Sequence, residues 1–172
     1  MKDRCLVSLL FGALFMLSAP VIAAPTSTTI NNKPINIDAD NQQIDIKNNT
    51  ITFSGNVQIE QDNFKITAER VVISHIQNKD EQRVTAYGEP VKFKQTMVNN
   101  KIVSGHATQL DYDIKSHTIT LTGDAELNQQ DNVIRSQVIA YNINQQQILA
   151  KGNGSTRVRT TIIPNQITEI NK

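Results

Sequence analysis

The chain has 172 residues, 38% of them hydrophobic and 19% charged, with a formal net charge of only +1 at pH 7. Near-neutrality argues against a nucleic-acid binder, which shows a basic patch or a high pI. The single cysteine, Cys5, excludes an internal disulfide framework, so folding rests on ordinary core burial.

In chain order, Lys2 and Arg4 precede an apolar run from Cys5 to Leu17, and the small-residue stretch Ser18-Ala19-Pro20-Val21-Ile22-Ala23 follows. This is the pattern of a secretory signal peptide over residues 1–23, with Ala24 beginning the mature chain. Its apolar run of about 13 residues falls short of the roughly 20 that a membrane-spanning helix needs. Cys5 lies at the front of the leader and is poorly placed for lipidation. Loss of Lys2, Asp3 and Arg4 leaves 15 of the 17 basic and 15 of the 16 acidic residues, so the mature chain carries no net charge. Residues 24–33 are polar and aperiodic and read as a flexible segment. Residues 34–164 suffice for one domain with its own core, and residues 165–172 form a short tail.

Within the domain, apolar residues recur at every second position: Ile35 and Ile37; Ile44 and Ile46; Ile51, Phe53, Val57 and Ile59; Val91 and Phe93; Ile119, Leu121, Ala125 and Leu127. Period two is strand periodicity, and the polar residues between give each strand one wet face. Asn48-Asn49 and Ser116-His117 separate such runs and read as hairpin turns. Ala68 to Ile76, the best helical window, is rich in β-branched residues and is assigned to strand.

Internal repetition is extensive. Ile44-Asp-Ile-Lys-Asn-Asn-Thr-Ile-Thr-Phe-Ser-Gly55 aligns with Tyr112-Asp-Ile-Lys-Ser-His-Thr-Ile-Thr-Leu-Thr-Gly123, and weaker half-copies appear around Thr85 to Phe93, with Gly88, and Leu149 to Gly152. A glycine inside an alternating run marks a bulge, a bend or a close backbone approach. A small residue recurs at Ala39, Ala68, Ala107 and Ser136 and is read as opening the next strand. Four strand-bend-strand units result, each of which has to stack on a neighbour to bury its apolar face. The expected outcome is an all-β two-layer sandwich, jelly roll or short solenoid.

Several stretches together carry a resemblance: Pro34-Ile-Asn-Ile-Asp-Ala-Asp-Asn-Gln42, Thr52-Phe-Ser-Gly-Asn-Val57, Tyr87-Gly-Glu-Pro-Val-Lys-Phe93, Gly105-His-Ala-Thr-Gln-Leu-Asp-Tyr112, Leu121-Thr-Gly-Asp-Ala125 and Arg157-Val-Arg-Thr-Thr-Ile-Ile-Pro164. From Pro34 to Pro164 the chain resembles the LptA family of periplasmic lipopolysaccharide-transport proteins, the organic-solvent-tolerance repeat family. The resemblance implies a twisted open β-jelly roll built from repeated antiparallel strand pairs, whose inner apolar face takes up the acyl chains of lipid A. It implies head-to-tail self-stacking that joins an inner-membrane lipopolysaccharide export complex (an LptC-like periplasmic domain) to an outer-membrane assembly protein (an LptD-like periplasmic domain). It also implies that Ile35, Phe93, Tyr112 and Ile114 face the lipid, with Phe53 and Leu121 as equivalent large apolar positions in the two best repeat copies. Alternation by itself does not separate a dry core from a lipid-lined groove at these six positions. The edges for stacking would be Ile35 to Asp38 and Val158 to Ile163, bracketed by Pro34 and Pro164.

Enzymatic chemistry is hard to find. His75, His106 and His117 lack the paired spacing of a zinc site and read as solvated strand or turn residues. Asp38 and Asp40 begin a calcium-loop pattern, but its glycine and closing glutamate do not follow. No Gly-x-Ser-x-Gly, phosphate-cradling loop or nucleophilic cysteine occurs, and no cofactor is implied. Three function classes remain at this level: a periplasmic lipopolysaccharide carrier, a structural β-repeat subunit of an extracellular assembly, and a β-solenoid enzyme acting on polysaccharide.

Overall fold

Alternation of β-branched and polar residues becomes ten strands in a computed structural model that describes residues 34–164 except 79, 98 and 99. The expected signal peptide, flexible segment and C-terminal tail lie outside the described residues. In order, the strands are β1 Asn36–Asp38, β2 Asn41–Asp45, β3 Thr50–Gln61, β4 Phe64–Ser74, β5 Arg83–Thr96, β6 Ile102–Asp113, β7 Thr118–Gln129, β8 Asn132–Asn142, β9 Gln147–Lys151 and β10 Arg159–Thr161. They form one antiparallel sheet in the order β1-β3-β4-β5-β6-β7-β8-β10, with β2 also on β3 and β9 also on β8. The window from Ala68 to Ile76 is strand as far as Ser74.

The two expected hairpin turns fall at 46–49 and 114–117 and are copies of each other. Asp45 Oδ1 accepts the Asn48 N–H at 2.9 Å, and Asp113 Oδ1 accepts the Ser116 N–H at 2.9 Å. These backbone hydrogen bonds hold both carboxyls below the usual carboxylate range, with the Arg83 guanidinium a lesser influence on Asp113. Asn49 and His117 occupy the left-handed region at φ 60° and 51°, which short polar side chains tolerate better than β-branched ones.

Each of the six long strands bends in its middle. Pairing slips between Ser54 and Val57, Thr67 and Arg70, Tyr87 and Val91, His106 and Gln109, and Thr122 and Ala125. Gly55, Gly88 and Gly123 sit at these slips, as glycines inside alternating runs are expected to do. Gly152 does not: it follows β9, and the backbone of Thr156 folds over it. The small residues also need correction. Only Ala39 precedes a strand, whereas Ala68, Ala107 and Ser136 lie inside β4, β6 and β8. A bulge bends a strand without ending its pairing, and a lapse in alternation does not reveal that the pairing resumes beyond it.

After three of the four small residues, Ala39, Ala68 and Ala107, the next residue is polar and closes the bend of the following strand. Asp40 donates its N–H to Gly55 O (2.9 Å) and accepts from Asn56 Nδ2 (2.9 Å). Glu69 Oε1 accepts the Glu89 N–H at 3.3 Å, and Thr108 Oγ1 donates to Thr122 O at 3.0 Å.

Aligned bends fold the sheet onto itself, so every long strand contributes to two layers. The first layer holds 50–54, 70–74, 83–87, 109–113, 118–122 and 138–142; the second holds 57–61, 64–67, 91–96, 102–106, 125–129 and 132–136. A Cβ built on Gly105, in the second layer, would lie 3.0 Å from Leu121 Cδ1 in the first. Leu121 pairs with Leu110, five residues along β6 from Gly105, or about 17 Å in a flat strand. Only folding across the bend brings them together. The core lies between the layers, and Val71, Ala86, Leu110, Ile119, Leu121 and Ile139 are fully buried there.

Candidate functional site

The inner face is built from rows of directly paired residues that cross all the strands. In the first layer one row runs Ile44, Ile51, Ile73, Val84, Tyr112, Ile119, Tyr141, Ile148, from β2 at one edge to β9 at the other. Every member is aliphatic or aromatic. The adjacent inner row carries Phe53, Val71, Ala86, Leu110, Leu121 and Ile139. In the second layer the central row is Ile37, Ile59, Ile66, Phe93, Gly105, Leu127, Ile134, Thr160. Alternation within each strand, multiplied by antiparallel pairing, turns single apolar positions into continuous apolar rows.

Of the six residues singled out from the sequence, Phe53, Phe93 and Leu121 join one buried cluster, and Tyr112 packs against it. Phe93 and Leu121 meet over Gly105, whose missing side chain leaves room for the Phe93 ring. Ile114 lies in the turn after β6, and Ile35 lies outside β1 with 54% of its surface exposed. These two stand apart from the other four.

Phe64 is a contributor that the sequence reading did not single out. Its ring lies 6.2 Å from that of Phe93 and 6.1 Å from that of Tyr112, so it links the layers at their outer ends. It opens an alternating run after Asp62-Asn63, but it has no apolar counterpart in the second repeat copy, where Asn132 stands. Three polar groups face the same interior. Among the described residues Gln95 Oε1 and the Tyr141 hydroxyl are buried without a partner, and Tyr112 OH lies 3.4 Å from His117 Nδ1. Burial pushes both tyrosine hydroxyls above their ordinary pKa, with the Asp113 charge adding to the effect at Tyr112.

At the two edges apolar side chains are exposed: Ile44 of the inner row is 56% exposed on β2, Val158, Ile162 and Ile163 are exposed beside β10, and Leu149 is exposed on the outer face of β9. The outer face is polar. Its charged row reads Asp38, Gln58, Thr67, Lys92, His106, Glu126, Arg135, Arg159. Glu126 accepts from Asn128 Nδ2 at 2.9 Å and pairs with Arg135 Nε at 2.7 Å. Partial burial opposes ionisation of Glu126, but the Asn128 hydrogen bond and the charges of Arg135 and His106 outweigh it and hold the carboxyl below its ordinary pKa. A cleft of about 830 Å³ between this row and Thr156 to Thr160 is lined mainly by polar side chains, which suits water better than acyl chains.

The family model described as "LptA/(LptD N-terminal domain) LPS transport protein" matches residues 36–147. The chain belongs to this family. Among its relatives, the lipopolysaccharide export system protein LptA of Haemophilus influenzae is 38% identical over 166 residues, covering 94% of this chain and 96% of that one. LptA of Escherichia coli is 34% identical over 163 residues, covering 94% of this chain and 86% of the relative. The crystal structure of LptH, the LptA-homologous periplasmic component of the lipopolysaccharide transport device of Pseudomonas aeruginosa, superposes with a TM-score of 0.71 at 22% identity. That match covers 78% of this chain and 98% of LptH. The open, bent, antiparallel sheet is therefore the architecture of the LptA family, and the expected jelly roll is the one observed.

Proposed function

We propose that this LptA-family chain is a periplasmic, non-enzymatic lipopolysaccharide carrier that shelters acyl chains between its two layers and passes them along a head-to-tail stack. The observation that carries the reading is the set of apolar rows that run from edge to edge, with exposed apolar side chains at both edges. Removing a methylene from water is worth about 0.8 kcal/mol, so sheltering ten contributes roughly 8 kcal/mol. Opening the layers costs side-chain contacts, but acyl chains replace them with contacts of the same kind. The aromatic cluster of Phe64, Phe93 and Tyr112 lies where the layers part most easily, because Phe64 and Tyr112 are only partly buried. On this reading Phe53, Phe93, Tyr112, Ile114 and Leu121 contact acyl chains, and Ile35 covers the junction to the next copy. An LptC-like and an LptD-like domain would use the same two edges at the ends of the stack. The leader over residues 1–23 would direct the chain to the periplasm.

Binding of fluorescently labelled lipopolysaccharide to the purified mature chain tests this. Tyr112→Asp places a carboxylate against acyl chains and should weaken binding by about tenfold or more, since an unpaired charge is costly in an apolar site. Circular dichroism should show the β-sheet retained, because Tyr112 is only partly buried. Undiminished binding by the folded variant would remove Tyr112 from the site, and absence of binding by the parent chain would defeat the carrier reading.

A further inference from the structure

Four buried side-chain oxygens lack a hydrogen-bond partner among the described residues: Asn49 Oδ1, Gln95 Oε1, Ser136 Oγ and the Tyr141 hydroxyl. Buried polar groups in folded proteins are nearly always paired, so each exception calls for a physical reason. Asn49 lies in the 46–49 turn, and Ser136 lies at the bend of β8, opposite Ala125. Gln95 and Tyr141 differ from these. Both lie on the inner face, 9% and 2% exposed, and both are at the same depth between the layers.

Their depth follows from the pairing. Gln95 stands directly opposite Phe64 in the second layer, and Tyr141 shares a row with Ile119 and Tyr112 in the first. The Phe64 and Tyr112 rings meet with their centres 6.1 Å apart, so these two rows face each other at the outer ends of the layers. That contact joins β4 to β6, an offset of two strands. The same offset sets Gln95 of β5 across from Ile119 of β7, with Tyr141 on the next strand, about 5 Å further along the sheet. The rows one step deeper, Phe53 to Ile139 and Ile59 to Ile134, carry no polar side chain between β3 and β8. A chain entering from the outer ends therefore meets polar atoms first and hydrocarbon beyond them.

The two atoms require different partners. An amide oxygen only accepts, so Gln95 Oε1 needs a donor, whereas the Tyr141 hydroxyl can donate to a carbonyl oxygen. A hydrocarbon tail supplies neither, and a simple acyl ester supplies only the carbonyl. An acyl chain with a hydroxyl group close to its carbonyl supplies both within a few atoms of its attachment.

We infer that Gln95 and Tyr141 form a polar collar that selects acyl chains hydroxylated close to their carbonyl, with Gln95 accepting from the hydroxyl and Tyr141 donating to the carbonyl. The inference rests on the carrier reading above and assigns that site a specificity. In the lipid-free chain the two groups are unpaired, and bound lipid supplies the missing partners. Apolar side chains at both positions would avoid the unpaired atoms but would not tell one acyl chain from another.

The mature chain is loaded with fluorescently labelled lipopolysaccharide, and methyl β-hydroxymyristate and methyl myristate are compared as competitors. These esters share a carbonyl and differ by one hydroxyl. The hydroxylated ester should compete about tenfold better, because the ester lacking the hydroxyl leaves the Gln95 acceptor unpaired. Gln95→Leu should abolish that preference by weakening the hydroxylated ester alone, and Tyr141→Phe should weaken both esters alike. Circular dichroism checks that each variant stays folded, and the preference of the parent chain is read without any substitution. Equal competition by the two esters, or competition by neither, in a parent chain that binds lipopolysaccharide would overturn the collar and leave the carrier reading intact. A preference that survives in folded Gln95→Leu would also overturn it. Absence of lipopolysaccharide binding by the parent would overturn both readings.

Discussion

At the scale of single residues, the interior carries a cost that its apolar rows conceal. Tyr141 sits between Ile119 and Ile148, is only 2% exposed and has no partner for its hydroxyl among the described residues. A buried unsatisfied hydroxyl costs about 1–3 kcal/mol, so Tyr141→Phe should stabilise the lipid-free chain by about 1 kcal/mol. For a domain of this size that corresponds to a rise of roughly 3 °C in melting temperature. A lower melting temperature would mean that the hydroxyl is hydrogen-bonded after all. Phe53 and Leu121 were legible in the sequence as one position seen twice, since they occupy matching sites in the two repeat copies. Phe64 was not, because it has no apolar repeat counterpart and its importance comes from two rings on other strands.

At the scale of elements, the bend decides the architecture, and its glycines are not interchangeable with those of ordinary loops. Gly123 has φ +82°, and a Cβ there would run into the Thr108 hydroxyl that bonds Thr122 O. Gly154 has nearly the same backbone, at φ +84°, but no described residue would lie within 4 Å of a Cβ there. Left-handed strain of about 1–2 kcal/mol applies to alanine at both positions, and loss of the Thr108 hydrogen bond adds about 1 kcal/mol only at Gly123. Gly123→Ala should therefore be the more destabilising substitution in urea melts. Equal effects would show that the bulge tolerates a methyl group. The glycine spacing announced these bends. The partner that closes each one, Asp40, Glu69 or Thr108, became visible only once neighbouring strands were in register.

At the scale of the whole molecule, the sheet is open and ends in two short edges. β10 pairs with β8 through only Arg159, Thr160 and Thr161, all of them exposed. Ending the chain before Val158 should thus leave the fold and its melting temperature nearly unchanged while abolishing association, because an antiparallel edge needs its partner strand. Sedimentation velocity checks this. Continued assembly of the truncated chain would place the junction elsewhere, and collapse of the fold would show that β10 closes the core.

Strand content, the repeat, the bends at Gly55, Gly88 and Gly123 and the apolar positions were determined by sequence alone, because a period of two and a recurring glycine are local signals that survive in any register. Tertiary structure decided what those signals jointly build. Pairing aligned the bends of β3 to β8 into one fold line, which turned long strands into two facing layers and Phe93 and Leu121 into neighbours over Gly105. It also set Asp38 and Arg159 at opposite ends of one outer row. Neither relation is legible along the chain, because each depends on residues far apart in sequence whose separation in space is set by strand order.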